Sequence, residues 1–339
     1  MPTHSPSAAV PVAPVQLDRS LAPSARSSSP RLEWPFGDGE RPYPPSLSGK
    51  AVLLAFDDSA EAQSAARVVD AIVTQLHAKV SVVSVVDTTP VPIPFPLDAA
   101  ITMGYEKPGG TIHRERERKT RARLSTILGR PIQWSTSIEL GIPSDAIARQ
   151  ASRARAELVV MGLRRHGRVD RALHDETALS VMRKATGPVL GVAAGTVDLP
   201  ISALVAMDFS RASVRAAAAA VTLVAAGGRM TFAYVESMME PSPGSSEGVV
   251  HSLGLEAAFE RLERAFASDG LRMDHVVLHH ATSGMPSSLL LDFAEGGYDL
   301  LVAGSARHGR LDRVLLGSVS ADLVRDGQYS VLIVPPDHD

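Results

Sequence analysis

The hydrophobic pattern along the chain alternates between two kinds of segment. Short runs rich in β-branched residues, AVLLAF (51–56), VSVVSVV (80–86), ELVVMG (157–162) and PVLGVA (188–193), read as strands buried on both faces. IQWSTSIE (132–139) alternates apolar and polar positions and reads as a further strand. Between the strands, helical spacing predicts helices over Ala60 to Leu76, Thr111 to Leu128, Pro143 to Arg155 and Thr177 to Ala185. Ser59 stands where the first of these needs its N-cap. The second half follows suit: ALVAM, helix Ser210 to Ala226, MTFAYV, helix Leu255 to Ser268, MDHVVLHH, helix Pro286 to Ala294, DLLVAG, helix Val319 to Arg325, and SVLIVP. Strands alternating with helices imply a parallel sheet covered on both faces, with ligands bound beyond the carboxyl ends of the strands.

The two halves are copies. GLRRHGRVDRALHDE (162–176) and GSARHGRLDRVLLGS (304–318) are identical at eight of fifteen positions. AVLLAFDDSAEAQSAAR (51–67) parallels SALVAMDFSRASVRAAA (202–218), and ELGIPSDAIARQA (139–151) parallels TSGMPSSLLLDFA (282–294). Three blocks in one order mean a duplicated unit of ordinary domain size, with boundaries near 48–197 and 198–337. The linker Ala194 to Pro200 is short, so the copies are expected to pack as a pseudo-twofold pair across their final strands. Two separate sheets are expected, with Gly162 equivalent to Gly304 and Asp57 to Asp208. Residues 1–47 are rich in Pro, Ser and Ala and read as a disordered tail, from which Trp34 and Phe36 could dock on the body. The insertion 88–110 alternates prolines with Ile93, Phe95 and Leu97, an extended apolar strip that must pack on its own sheet or on a partner.

Composition narrows the chemistry. At 339 residues and net charge -3 the chain has no overall basic field to draw it to nucleic acid. It has no cysteine, which excludes disulfides, thiol catalysis and cysteine-ligated zinc. The longest apolar run, near Ala216 to Ala226, is shorter than the roughly 20 residues a membrane span needs. No nucleic-acid or membrane partner is therefore expected, and the cytoplasm is the expected compartment. His279-His280 lacks a second pair at metal spacing, and no metal site is expected from the protein's own ligands.

The duplicated blocks resemble the universal stress protein family. The likeness rests on Asp57-Asp58-Ser59 and Asp208-Phe209-Ser210 closing the first strand of each copy. It rests also on Gly141-Ile142-Pro143 and Gly284-Met285-Pro286 opening a helix, and on LLVAGSARHGRLDRVLLGSVS before VLIVP. It covers roughly residues 49 to 336. It implies an α/β fold of two tandem doubly wound, Rossmann-like (HUP-type) parallel-sheet domains. It also implies that Asp57 and Asp208 lie beside the adenosine of a nucleotide, with Val85 and Val235 offering backbone contacts; helix capping is the plainer role for the aspartates.

The nucleotide-binding branch of that family carries Gly-x2-Gly-x9-Gly-Ser/Thr, in which glycines admit phosphate to backbone N–H groups at a helix start. In the second copy Gly304, Gly317 and Ser318 match, Arg307 takes the middle glycine's place, and Gly309 comes two residues late. Arg307 either grips phosphate with its guanidinium or stands as a surface charge on a closed turn. His308, like His166 in the first copy, reads as a loop residue. In the first copy Arg165 fills the middle position and Asp175-Glu176 replace Gly-Ser, so two carboxylates stand where phosphates would lie; they are expected to pair with Arg164, Arg165 or Arg168 instead.

The resemblance therefore implies a stress-response protein with an ATP-type site in the second copy only. The expected site comprises Met207, Asp208, Phe209, Ser210, Val235, Gly304, Ser305, Arg307, His308, Gly309, Gly317, Ser318 and Val319, with Mg accompanying ATP. No nucleophile–base pair or Gly-Lys-Ser/Thr phosphate loop is present, so a binding or signalling role is expected ahead of catalysis. A nucleotide-free protein acting through protein partners or as a homodimer, and a weak ATP-hydrolysing enzyme, stay open as alternatives.

Overall fold

A computed structural model describes residues 35–36, 48–87, 110–164, 175–236, 245–267, 270–279, 285–305 and 316–336. The readings of the remaining tail, of the insertion from residue 88 to 109 and of both glycine-loop centres (165–174 and 306–315, with Arg165, His166, Arg307, His308 and Gly309) fall outside these residues.

The first repeat runs β1 (Ala51–Ala55), α1 (Ala60–Leu76), β2 (Lys79–Val86), α2 (Thr111–Leu128), β3 (Ser135–Leu140), α3 (Pro143–Ala154), β4 (Leu158–Leu163), α4 (Asp175–Lys184) and β5 (Val189–Ala193). The second runs β6 (Ser202–Met207), α5 (Arg211–Val221), β7 (Arg229–Glu236), α6 (Ser246–Phe266), β8 (Arg272–His279), α7 (Pro286–Ala294), β9 (Leu300–Gly304), α8 (Ser318–Asp326) and β10 (Ser330–Val334). Strand order is β3-β2-β1-β4-β5-β10-β9-β6-β7-β8. Each half thus has the same doubly wound order, read outward from the centre, with parallel pairing throughout.

The two halves meet at one antiparallel pair, Val331 opposite Gly191, Leu332 opposite Leu190 and Ile333 opposite Val189. The seam lies at the final strands, as expected. The expectation of two separate sheets is corrected: the halves share one ten-stranded sheet. The physical reason is that β5 and β10 each end their half with an open row of backbone donors and acceptors, and both strands are fully buried. Pairing them satisfies groups that burial would otherwise orphan. The duplication survives this correction, because it shows in the repeated strand order rather than in separate sheets. Beside the seam, Ala193 N–H donates to Ser330 Oγ at 3.2 Å and Gly195 N–H to Ser64 Oγ at 3.0 Å.

Alternate strand residues point to opposite faces, so the unbroken apolar runs feed two cores. One core packs Val52, Leu54, Val160, Leu190 and Val334 under α1, α2, α5 and α6. The other packs Leu53, Val159, Met161, Val331 and Ile333 under α3, α4, α7 and α8.

Two helix limits differ from the sequence reading by more than a turn, the others by at most two residues. α5 stops at Val221 rather than Ala226, where Thr222 turns its Oγ1 back onto Ala219 O at 2.8 Å. α6 starts at Ser246 rather than Leu255, because Ser245 Oγ accepts the Gly248 N–H at 2.9 Å and caps the helix. Its first turns expose Val249, Val250 and Leu253, and the buried stripe that the periodicity detects begins in earnest only at Leu255.

Candidate functional site

The β1–α1 and β6–α5 turns are built alike. Asp57 Oδ1 accepts the Ser59 N–H at 3.1 Å and the Ser59 hydroxyl at 2.6 Å, while Ser59 Oγ accepts the Ala62 N–H at 3.1 Å. Asp208 Oδ1 accepts the Ser210 N–H at 2.9 Å, and Ser210 Oγ accepts the Ser213 N–H at 3.2 Å. Each serine is the N-cap, and each aspartate folds the turn that presents it. Capping therefore accounts for the Asp-x-Ser blocks without a ligand.

The middle residue of each turn is left-handed: Asp58 has φ 66° and Phe209 φ 57°. Such backbone is costly for a bulky side chain and persists where packing compensates. Asp58 is held by Arg123 Nε of α2 at 2.7 Å. Phe209 instead is 7% exposed and packs edge-on against Phe259 of α6, ring centres 4.9 Å apart. One backbone device thus tethers the neighbouring helix by an ion pair in one repeat and by aromatic packing in the other. Met207 is also buried, so neither the Met207 nor the Phe209 side chain is presented at the surface of the turn. Val85 and Val235 lie just past the last residues that β2 and β7 align with β1 and β6. Their backbone on that side meets no strand partner.

The glycines divide by cause. A Cβ on Gly162 would meet Ala62 N at 2.6 Å, and one on Gly304 would meet Ala212 C and O at 2.5 Å. Both glycines let the first turn of a helix lie directly on the end of a strand, so packing alone demands them. Gly317 is different. It is the N-cap of α8 with φ -59°, and among the described residues no side chain caps the helix there and a Cβ would meet nothing within 4 Å. Neither its conformation nor its packing among the described residues requires glycine.

The loop's two ends are tied together by Ser320 Oγ, which donates to Gly304 O at 3.1 Å. Sequence reasoning missed this serine, since a hydroxyl in a first helical turn carries no mark of its distant acceptor. Ser305 is wholly buried, its N–H donates to Val334 O at 2.9 Å, and its Oγ has no hydrogen-bond partner among the described residues. Ser318 is exposed at the first position of α8, and Val319 packs partly against the second core.

In the first repeat a cavity of about 300 Å³ opens at the carboxyl ends of β1, β2 and β4. Ala55, Val83, Val85, Ile147 and Met161 supply an apolar lining, Asp57, Glu61, Asp87 and Arg164 the charged groups, and Val324 of the second repeat also borders it. Among the described lining residues, three carry carboxylates and one a guanidinium. Among the described residues, no group of three or more acidic or histidine side chains could hold a metal ion. Among them too, no helix is long and apolar enough to cross a membrane.

This architecture is a tandem pair of doubly wound α/β domains with turns and helix starts gathered beyond the strand ends. The model of the Universal stress protein family matches residues 49–193 and again 202–335, and the chain belongs to that family as a tandem member. Among solved structures, a universal stress protein from Archaeoglobus fulgidus DSM 4304 superposes with TM-score 0.62 at 18% identity, over 85% of this chain and 98% of that one. A functionally unknown protein from Pseudomonas aeruginosa PAO1 superposes with TM-score 0.56 at 13% identity, over 86% and 94%. No curated protein matches the chain.

Proposed function

We propose that the second repeat binds ATP or a related adenine nucleotide, and that this stress protein acts in the cytoplasm as a binding and signalling module rather than a catalyst. The observation that carries the reading is Gly317. It is a glycine with open space above it among the described residues, at a helix start that no described side chain caps, where N–H groups are suited to an anion. Ser318 beside it is exposed and adds a hydroxyl. The turn of Asp208 and the backbone of Val235 then face the nucleoside, and Mg accompanies the phosphates. Arg307, His308 and Gly309 complete the loop, Arg307 supplying charge where the family's middle glycine would stand.

In the first repeat the equivalent helix α4 opens on Asp175 and Glu176. The sequence carries two acidic residues there in place of Gly317-Ser318. On that difference we assign the phosphate to the second repeat only.

The test is a thermal shift with Mg-ATP on the full chain and on Gly317→Asp. A ligand at 100 times its Kd raises stability by about 2.7 kcal/mol. The wild type should shift and the variant should not. Equal shifts in both would overturn the assignment, and ATP turnover above the Gly317→Asp control would overturn the non-catalytic role. A second reading, partner binding without nucleotide, is favoured by the exposed Val249, Val250 and Leu253 on α6. It is the conclusion to draw if neither protein shifts.

A further inference from the structure

The two repeats carry one set of charges with the sign inverted. Over the second core, α3, α4, α8 and α7 pack side by side in that order, α4 meeting α8 across the seam. In the first repeat the ends of α3 and α4 are cationic. Arg149 is the seventh residue of α3, Arg155 is its C-cap, and Lys184 is the last residue of α4. Arg149, Arg153 and Lys184 line a shallow groove between the two helices, together with Asp145. The matching positions of the second repeat are acidic: Asp292 is the seventh residue of α7, Glu295 is its C-cap, and Asp326 is the last residue of α8.

Local structure accounts for the first set and not for the second. Cations at the C-terminal end of a helix suit the negative pole of its macrodipole, whereas carboxylates there oppose it. In the first repeat Lys184 Nζ donates to Asp145 Oδ1 at 2.5 Å and to Ser144 Oγ at 3.1 Å, and Arg153 donates to Glu139 at 3.2 Å. Arg149 and Arg155 are exposed and make no ion pair among the described residues. In the second repeat Asp292 and Glu295 are likewise exposed and unpaired among the described residues, and the nearby Arg325 is engaged by Asp322 at 3.2 Å. Burial raises the Tyr329 phenol above its ordinary range, and Glu295 and Asp326 raise it further against the lowering effect of the Gln328 hydrogen bond, so the two carboxylates share one neighbour. The second repeat thus keeps negative charge at helix ends where its own fold disfavours it.

We propose that the two clusters are the halves of one interface between two copies of this chain: the cationic α3–α4 end of each copy meets the acidic α7–α8 end of the other. The clusters lie on one face of the shared sheet, on opposite sides of the seam. Turning a second copy over about a twofold axis parallel to that face therefore lays each cluster on its opposite and makes both pairings at once. Four helices about 10 Å apart and roughly 15 Å long present roughly 600 Å² per copy. Twice that exceeds the roughly 1,000 Å² total that a specific contact needs, and places the dimer among weak, reversible ones. Opposed charge clusters set its register and exclude a like-facing arrangement. The proposal is independent of any nucleotide.

The experiment is sedimentation velocity on the full chain over a micromolar concentration series. The chain should dimerise in about 0.1 M salt and dissociate in about 1 M, as the screening length falls from about 10 to about 3 Å. Arg149→Glu with Arg155→Glu makes both clusters acidic, and Asp292→Arg with Glu295→Arg makes both basic. Each doubly substituted chain by itself should associate at least about tenfold more weakly than the wild type. Mixed in equal amounts, the two should pair as the wild type does, a rescue that misfolded chains could not produce. A wild type that stays monomeric throughout the low-salt series, dimers that persist in both variants, or a mixture that stays unpaired would overturn the proposal. A ladder of larger species in place of a dimer would overturn the twofold closure.

Discussion

Gly304 and Gly317 bracket one loop, yet substituting them should have opposite consequences. In Gly304→Ala the new methyl would lie 2.5 Å from Ala212 C and O, about an ångström inside ordinary carbon contact. The obstacle is the backbone of the first turn of α5, already tied down by the Ser210 cap, so no side chain can swing away to make room. Overpacking of this kind costs about 1–3 kcal/mol, and a backbone obstacle places it at the upper end. With about 2–4 °C lost per kcal/mol in a unit of this size, the melting temperature should fall by about 4–12 °C. The Cβ of Gly317→Asp meets no described atom within 4 Å, and the residue keeps an ordinary φ. Aspartate caps a helix slightly better than glycine, so stability should hold or rise by a few tenths of a kcal/mol. Scanning calorimetry without ligand measures both. A Gly304→Ala protein melting within about 1 °C of the wild type would refute the packing argument. A Gly317→Asp protein as damaged as Gly304→Ala would refute the claim that residue 317 is glycine for a ligand rather than for the fold.

Other outcomes follow from the same geometry. Phe209→Ala should lose about 3–5 kcal/mol by emptying the space between Phe259 and Tyr234, and Phe209→Gly should be the milder by about 1 kcal/mol, because it removes the left-handed strain at φ 57°; urea unfolding in which alanine is the better tolerated would contradict this. ATP titration of Gly317→Asp should show no residual micromolar binding, and saturable heat there would mean that the acidic first-repeat cavity accepts nucleotide after all. The Lys184 ammonium, hydrogen-bonded to Asp145, holds that carboxyl below its usual range. The pair's contribution is therefore present above the ordinary carboxylate pKa and is lost as the pH falls through the lowered folded value. Carbon NMR titration should show Asp145 ionising below a free aspartate, and Lys184→Met should raise it toward normal, with Arg149 still lowering it.

Sequence by itself determined what depends on neighbours along the chain. Strand positions followed from β-branched runs, and Ser59 and Ser210 were placed at helix starts because capping is settled within three residues. The duplication was legible in Gly162 and Gly304 standing in matching blocks, and it carried the family resemblance and the doubly wound order with it. Tertiary structure decided whatever joins residues distant in sequence. That Gly304 answers to Ala212, that Ser320 ties back to Gly304, and that Phe209 trades a strained backbone for a seat on Phe259 could not be read locally, since each partner lies on another element. Nor could sequence tell one shared sheet from two abutting ones, because β5 and β10 are the same apolar runs in either case. Their antiparallel pairing follows from the need to satisfy buried backbone groups at the seam.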